Sequence, residues 1–538
     1  MNSIRPSEGE CMQMVRGLGS HFPDPLDLFA ALTRQGDGSP RPDTLLFESA
    51  EQANQQGERS LLVTRSALRA RCRGREVEVV ALNENGQSVL PWLGRQLTGL
   101  VSLEKLPDGL RARYPEPPRG SEESRLKAPS PIDVLRTLAT GFTLVSGQPA
   151  LGPLVAGVFA YDFLGSYESL PPWKACLLDW PDYEFWLPDQ MVWLNHGKRH
   201  GTAVMLVFGG EHLTSIYHDA AASIASLMRV YEGLPESGES APEGRPPSGA
   251  GEPSGLETDM DDAAYMSIVE RLKGHIVSGD VIQVVPSRTF STPCADPLSA
   301  YRRLRAINPS PYMFLVRSES GTLFGASPET AVKVSGSPPK IEIRPIAGTR
   351  PRGKGPDGLL DLDQDNRLEA ELRLSAKENA EHMMLVDLAR NDVARVSVPS
   401  SRGVTRLLQV DKYSHVMHLV SCVTGELRSD LDALDAYVAT MNMGTLVGAP
   451  KLKAAELLRR YEPSRRGPYG GAAGYFTAEG ELDTCIVIRS AVVREGRAFV
   501  RAGAGIVFDS EPRAEADETR HKAAAVLQAI AQSERGGA

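Results

Sequence analysis

Between residues 233 and 257 the chain reads GLPESGESAPEGRPPSGAGEPSGLE, and 20 of these 25 residues are Gly, Pro, Ser or Glu. Such a stretch can bury almost nothing, so it predicts a flexible linker or a surface excursion. It splits the 538 residues into an N-terminal part over 20–230, a linker over 231–257 and a C-terminal part over 258–535. At about 150 residues per domain, a chain of this length holds roughly two to four. The split is one of sequence only, and the two parts remain free to share a sheet. A second polar, proline-rich stretch, 115–130, reads as a loop.

In the N-terminal part, residues 45–49 and 60–67 read as short strands, with 75–82 as a hairpin partner of alternating valines. Residues 131–141 and 220–231 read as helices. The C-terminal part opens with a helical pattern over 261–278, followed by strands over 280–290 and 312–316. A long helical pattern covers 365–396, and a shorter helix opens at Pro450 and ends before Pro463. Residues 472–477, 483–493 and 498–504 form a meander punctuated by Glu479-Gly480 and Glu495-Gly496, and 514–532 reads as a closing helix. Hairpins mixed with long helices predict an α+β fold rather than a parallel doubly wound sheet.

Composition narrows the function. Lys+Arg 59 against Asp+Glu 68 gives a net charge of −9, which argues against a protein built to neutralise phosphates. No apolar run approaches the roughly 20 residues of a membrane span, and the N-terminus has no apolar h-region. Six cysteines lie far apart with no CxxC pair, which suits neither a disulfide scaffold nor a zinc site and fits a reducing cytoplasm. Gly503-Ala504-Gly505 lacks the third glycine and the helix of a dinucleotide fingerprint. GTLVGAPK over 444–451 lacks the spacing of a phosphate loop.

Carboxylates recur on the apolar side of two helices. Glu378 and Glu381 are three apart and share a stripe with Leu385 and Leu388, at about 100° per residue. Glu515 and Glu518 share one with Ala525, Val526 and Ala529. Two inward ExxE pairs are costly unless something cationic meets them. A divalent ion is the simplest partner, because Mg²⁺ takes one or two carboxylates plus waters and substrate oxygens. ExxE is also common on solvated helices, where Lys522 would form an ordinary pair with Glu518, and spacing alone does not decide between the two.

Longer motifs carry a resemblance. NPSPYMFLV (308–316), GASPET (325–330), RPIAGTRPRG (344–353), KENAEHMMLVDLARND (377–392) and DKYSHVMHLVSCVTGEL (411–427) occur in order. MNMGTLVGAPK (441–451), RRGPYGGAAGYF (465–476), DTCIVIRSA (483–491) and AGAGIVFDSEPRAEADETRHKA (502–523) follow. Together they resemble the chorismate-utilising enzymes, in detail the large subunit (component I) of anthranilate synthase, from about residue 45 to the closing helix. The resemblance implies two packed, mainly antiparallel β-sheets flanked by helices. It implies Mg²⁺ held by Glu381 and Glu518, with Glu378 and Glu515 acting through water. It also implies catalytic roles for Glu329 as general acid, His418 and Thr445, and substrate contacts from Gly348, Thr349, Tyr469, Arg489, Gly503, Ala504, Gly505 and Lys522.

Relatives differ in their nucleophile. Those adding water to chorismate carry a lysine base where this chain has Gln283, and a neutral amide cannot take a proton from water. Aminodeoxychorismate synthases place a lysine where this chain has Ala347, which offers no nucleophile. Ammonia needs neither, so the resemblance implies amination of chorismate and release of anthranilate and pyruvate, the first step of tryptophan biosynthesis. A 2-amino-2-deoxyisochorismate synthase stopping at the aminated intermediate, an aminodeoxychorismate synthase, and an idle tryptophan-binding module are the alternatives. LLFES (45–49) resembles the family's tryptophan feedback element, implying a site of Glu48, Ser49, Arg59, Pro311, Tyr312 and Met313. No cysteine sits in a glutaminase elbow, so the resemblance implies a separate glutamine amidotransferase subunit, within a heterotetramer, as the ammonia source.

Overall fold

The computed structural model describes residues 5–19, 21–49, 59–118, 120–237, 253–355, 359–413 and 416–536. Of the linker expected over 231–257, residues 238–252 lie outside this set. Its described ends are ordered: the helix Leu213–Gly233 runs into it, and the strand Glu257–Thr258 leaves it paired with Ser287–Pro293.

The chain is α+β, as expected. Among the described residues its ladders connect 23 strands in one sheet, and of the pairings between these strands only Glu10–Gly17 with Thr143–Ser146 is parallel. The two parts of the sequence are joined through the sheet. Thr44–Glu48 pairs with Tyr312–Ser318, Glu48 opposite Met313, and Leu154–Phe159 pairs with Ala472–Thr477. Each half therefore supplies strands to the other, and apolar side chains of both halves share the two largest buried clusters. Among the described residues no helix is long and apolar enough to cross a membrane.

Several elements are longer or more broken than the sequence pattern implied, and three breaks shape the site. The pattern over 365–396 is two helices, Leu362–Leu374 and Ala376–Val396. Ser375 divides them, its side chain accepting from the Glu378 N–H as an N-cap. The strand expected over 280–290 is Gln283–Val284 and Ser287–Pro293, parted at Pro286, which has no N–H to give a ladder. The strand expected over 483–493 is Leu482–Ile486 and Ser490–Arg494, with Arg489 between them at φ 49°. A non-glycine residue in that left-handed region cannot continue a strand.

A buried ionic knot pins the break at Pro286. Glu462 is fully buried and accepts from the Ser287 N–H and hydroxyl at 2.8 Å each. It also accepts from Arg466 at 2.6 Å and Arg501 at 3.0 Å. Burial pushes its carboxyl up, but Arg466 and Arg501 win and hold it below its ordinary value. Arg466 also donates to the carbonyls of Leu446 and Val285 and lies over the Tyr161 ring. Removing one partner of such a group leaves the others buried and uncompensated. Glu462→Gln is therefore expected to lower stability by about 3–5 kcal/mol in chemical denaturation; a loss below about 1 kcal/mol would contradict this role.

Candidate active site and effector pocket

The candidate acid sits in the turn joining Gly321–Ser327 to Thr330–Ser335. The Glu329 N–H donates to the Ser327 hydroxyl at 3.3 Å, and its carbonyl accepts from the Ile486 N–H at 3.0 Å, which fixes its backbone. Glu329 as a whole is 7% exposed. Burial pushes its carboxyl up to about 8, against the opposing pull of the Thr445 hydroxyl, which donates to Oε1 at 3.2 Å, and of the Lys522 charge. Glu329 therefore keeps its proton at neutral pH and can give it away.

The break at Arg489 turns its guanidinium inward from the sheet. Its hydrogen bond among the described residues is to the Lys522 carbonyl at 3.3 Å, and no described carboxylate forms an ion pair with it. Burial lowers its pKa, while Tyr469 and Glu518 oppose the shift. A half-buried guanidinium without a carboxylate is a place for an anion, gripped by its planar fork. Tyr469 is buried nearby: a Cβ on Gly503 would stand 3.1 Å from its hydroxyl and 2.6 Å from the Pro286 carbonyl. Lys522 donates to the Gly503 carbonyl at 3.0 Å. A Cβ on Gly505 would meet the Gln283 amide nitrogen at 2.7 Å, and the Gln283 Oε1 is buried without a hydrogen-bond partner among the described residues. Ala504 is fully buried, and its N–H donates to the Pro286 carbonyl, so it offers a ligand no free donor.

His418 lies on Val416–Glu426, opposite Thr349 of Ile346–Pro351. Its Nδ1 is 2.9 Å from the Thr349 hydroxyl and 3.3 Å from the Gly348 carbonyl. Burial, with the Arg489 charge, pushes the imidazole down to about 4, so it is neutral at pH 7. A carbonyl can only accept, which favours the proton on Nδ1 and leaves Nε2 as an acceptor. Gly348 has φ 69°, a backbone sign that favours glycine, and a Cβ there would lie 2.5 Å from the Glu378 carboxylate.

The four helix glutamates do face this region. Burial raises the Glu381 carboxyl, and the charges of Glu378 and Glu518 raise it further. Burial also raises Glu515, again with Glu518 contributing. Glu378 is turned to Arg350 at 2.8 Å, and Glu518 to Lys522 at 2.6 Å. Among the described residues no three acidic, histidine or cysteine side chains are gathered into a ready-made metal cage. The donor set still fits Mg²⁺, which takes one or two carboxylates and fills its remaining positions with water and substrate oxygens. Glu381, which burial and the neighbouring Glu378 and Glu518 raise against the pull of Lys377 and Lys522, and Glu518 are the residues that fit it.

A second cavity, of about 320 Å³, is lined by Glu48, Ser49, Arg59, Pro311, Tyr312 and Met313 together. Sequence reasoning missed Trp193, Tyr475 and Asp483, which complete its walls. They come from strands remote in sequence; Tyr475 and Asp483 lie in motifs that gave Tyr469 and Arg489, whereas Trp193 lies in none. Trp193 and Tyr475 meet edge to face at 5.5 Å. Glu48 accepts from the Tyr301 hydroxyl at 2.6 Å and pairs with Arg305 at 3.3 Å, while its Oε2 has no hydrogen-bond partner among the described residues. The Tyr312 hydroxyl donates to Asp483 at 3.0 Å and lies 3.2 Å from the Thr330 hydroxyl, one residue beyond Glu329.

This arrangement has known counterparts. Residues 120–528 match the family model of the chorismate binding enzymes. The chain is 48% identical to anthranilate synthase component 1 of Vibrio cholerae, over 95% of each chain. It is 45% identical to the Escherichia coli protein of the same name, over 97% of each. The crystal structure of anthranilate synthase component I from Streptococcus pneumoniae superposes with a TM-score of 0.65 at 28% identity, covering 87% of this chain and 92% of that one. The chain thus belongs to the chorismate binding enzyme family, among its anthranilate synthase component 1 members.

Proposed function

We propose that this chain converts chorismate and ammonia to anthranilate, pyruvate and water, as the synthase subunit of a two-component enzyme opening tryptophan biosynthesis. The single observation carrying the reading is a buried glutamic acid that keeps its proton, linked through Lys522 to an arginine with no carboxylate ion pair among the described residues. That combination suits a dianionic substrate whose hydroxyl must leave. Arg489 grips one carboxylate, with the Tyr469 hydroxyl and the Gly503 backbone beside it. Glu329 delivers its proton to the departing 4-hydroxyl as ammonia adds at C2, and water leaves. The C2 proton is then lost and the enolpyruvyl group departs as pyruvate, which leaves the ring aromatic. Neutral His418, held through Nδ1, presents Nε2 as a proton acceptor for that second stage. Bound Mg²⁺, held by Glu381 and Glu518, would orient the ring carboxylate and stabilise developing charge.

Gln283 argues for ammonia over water. Its amide cannot act as a base, and its unpartnered Oε1 can accept a hydrogen bond from an incoming amine. Five of the six cysteines are buried, where burial pushes Cys11 and Cys294 up to about 12, and the exposed one, Cys176, sits in no Gly-rich elbow, so none suits glutamine hydrolysis. Ammonia then comes from a glutamine amidotransferase partner, in a cytoplasmic heterotetramer. The second cavity is the feedback site, where Glu48 meets the ammonium group of tryptophan and Tyr312 and Met313 flank its ring.

With chorismate, Mg²⁺ and ammonium, the chain alone is expected to release fluorescent anthranilate and pyruvate, and with glutamine in place of ammonium to release neither. Glu329→Gln should cut the rate by about 10²–10⁴-fold. An aminated intermediate as the end product, seen by mass spectrometry, would reject the full reaction. Calorimetry with L-tryptophan is expected to show one binding site per chain, lost in Glu48→Gln; no heat with the intact chain would reject the feedback assignment.

A further inference from the structure

The acidic cradle is already supplied with cations of its own. Arg350 donates from one nitrogen to Glu378 at 2.8 Å and to the Thr349 carbonyl at 2.9 Å. Lys377 lies 3.9 Å from Glu381, and its charge also reaches Glu515. Lys522 pairs with Glu518 at 2.6 Å, and the Arg489 charge faces Glu518 too. Glu329 and His418 are neutral at pH 7 and add nothing. These four carboxylates therefore face these four bases and their formal charges cancel, while Asp411, which also reaches His418, is paired with Arg406 at 2.6 Å. A dication entering alone unbalances this set, whereas a dication entering with a dianion does not.

The Arg350 pair differs from the two lysine pairs. Both lysines join their glutamates one helical turn away, where such pairs are weak. Arg350 instead reaches from the strand Ile346–Pro351 across to the helix Ala376–Val396, and both partners are mostly covered. It draws the Glu378 carboxylate against the Gly348 backbone, where a Cβ would be only 2.5 Å away. Glu378 is thereby turned toward the strand.

We infer that Arg350 is a positioning residue that acts as a resident counter-ion. It holds Glu378 on the strand and opposes a divalent cation in the substrate-free protein, so that metal and dianionic substrate bind with positive coupling. The inference rests on the metal reading proposed above. Coupling of this kind is reciprocal: whatever the substrate adds to metal affinity, the metal adds to substrate affinity.

The test is calorimetric titration of the full chain with Mg²⁺, in ammonia-free buffer, with and without chorismate. Wild type is expected to bind Mg²⁺ about tenfold or more tightly with chorismate present, a coupling of the usual allosteric size. Arg350→Gln should bind Mg²⁺ without chorismate about three- to tenfold more tightly than wild type, with the coupling reduced. Arg350→Lys, which keeps the charge, should stay near wild type. Folded Arg350→Gln protein with unchanged or weaker substrate-free affinity overturns the inference. If that variant does not fold, Arg350→Met takes its place, with the same shift expected and no shift overturning the idea. Wild type that binds no Mg²⁺ even with chorismate rejects the metal reading itself, a different failure from an unresponsive Arg350 variant.

Discussion

A carboxylate removed from water must be neutralised, bonded or protonated, and the interior of this chain uses all three solutions. Glu462 is ionised because two arginines and a serine surround it. Glu48 has a tyrosine and an arginine on one oxygen and an open oxygen on the other. Glu329 receives one threonine hydroxyl, too little to keep its charge, and retains its proton. The first solution holds the fold together, the second shapes a pocket, and the third makes an acid. Which one applies is set by the number of cationic donors within reach, since all three side chains are chemically the same.

The acid and the second cavity are neighbours through the sheet. Tyr312 walls the cavity, and its hydroxyl meets that of Thr330, the residue after Glu329. The strand Tyr312–Ser318 is also the one that accepts Thr44–Glu48 from the N-terminal part. An occupant that moves this strand therefore acts on the backbone that carries the acid. This follows from the two halves sharing ladders rather than meeting across a loose interface.

Much of this was legible in the sequence, for identifiable reasons. The α+β class showed because hairpin punctuation and helical periodicity are local signals. The six residues expected around tryptophan line one cavity because two short motifs supply nearly all of them. The spacing of Glu378, Glu381, Glu515 and Glu518 gave their faces but not their partners; Arg350 belongs to another element and is invisible to helix geometry. The break at Arg489 was hidden because apolar residues run from Cys485 to Ile488 and resume at Ala491, which reads as one strand. Ser375 looked like one more polar residue within a helix, though it is the cap that starts the helix bearing Glu378 and Glu381. Trp193 and Tyr475 could not be assigned because only the folded sheet brings them together.

The account stands on Glu329 being a neutral acid at the pH where the protein works. The most direct test is the infrared difference spectrum between wild type and Glu329→Gln across a pH titration. The account predicts a protonated-carboxyl carbonyl band in wild type that persists at pH 7 and fades as pH passes about 8. A band already gone by about pH 5, in the ordinary range of an exposed glutamate, would contradict it.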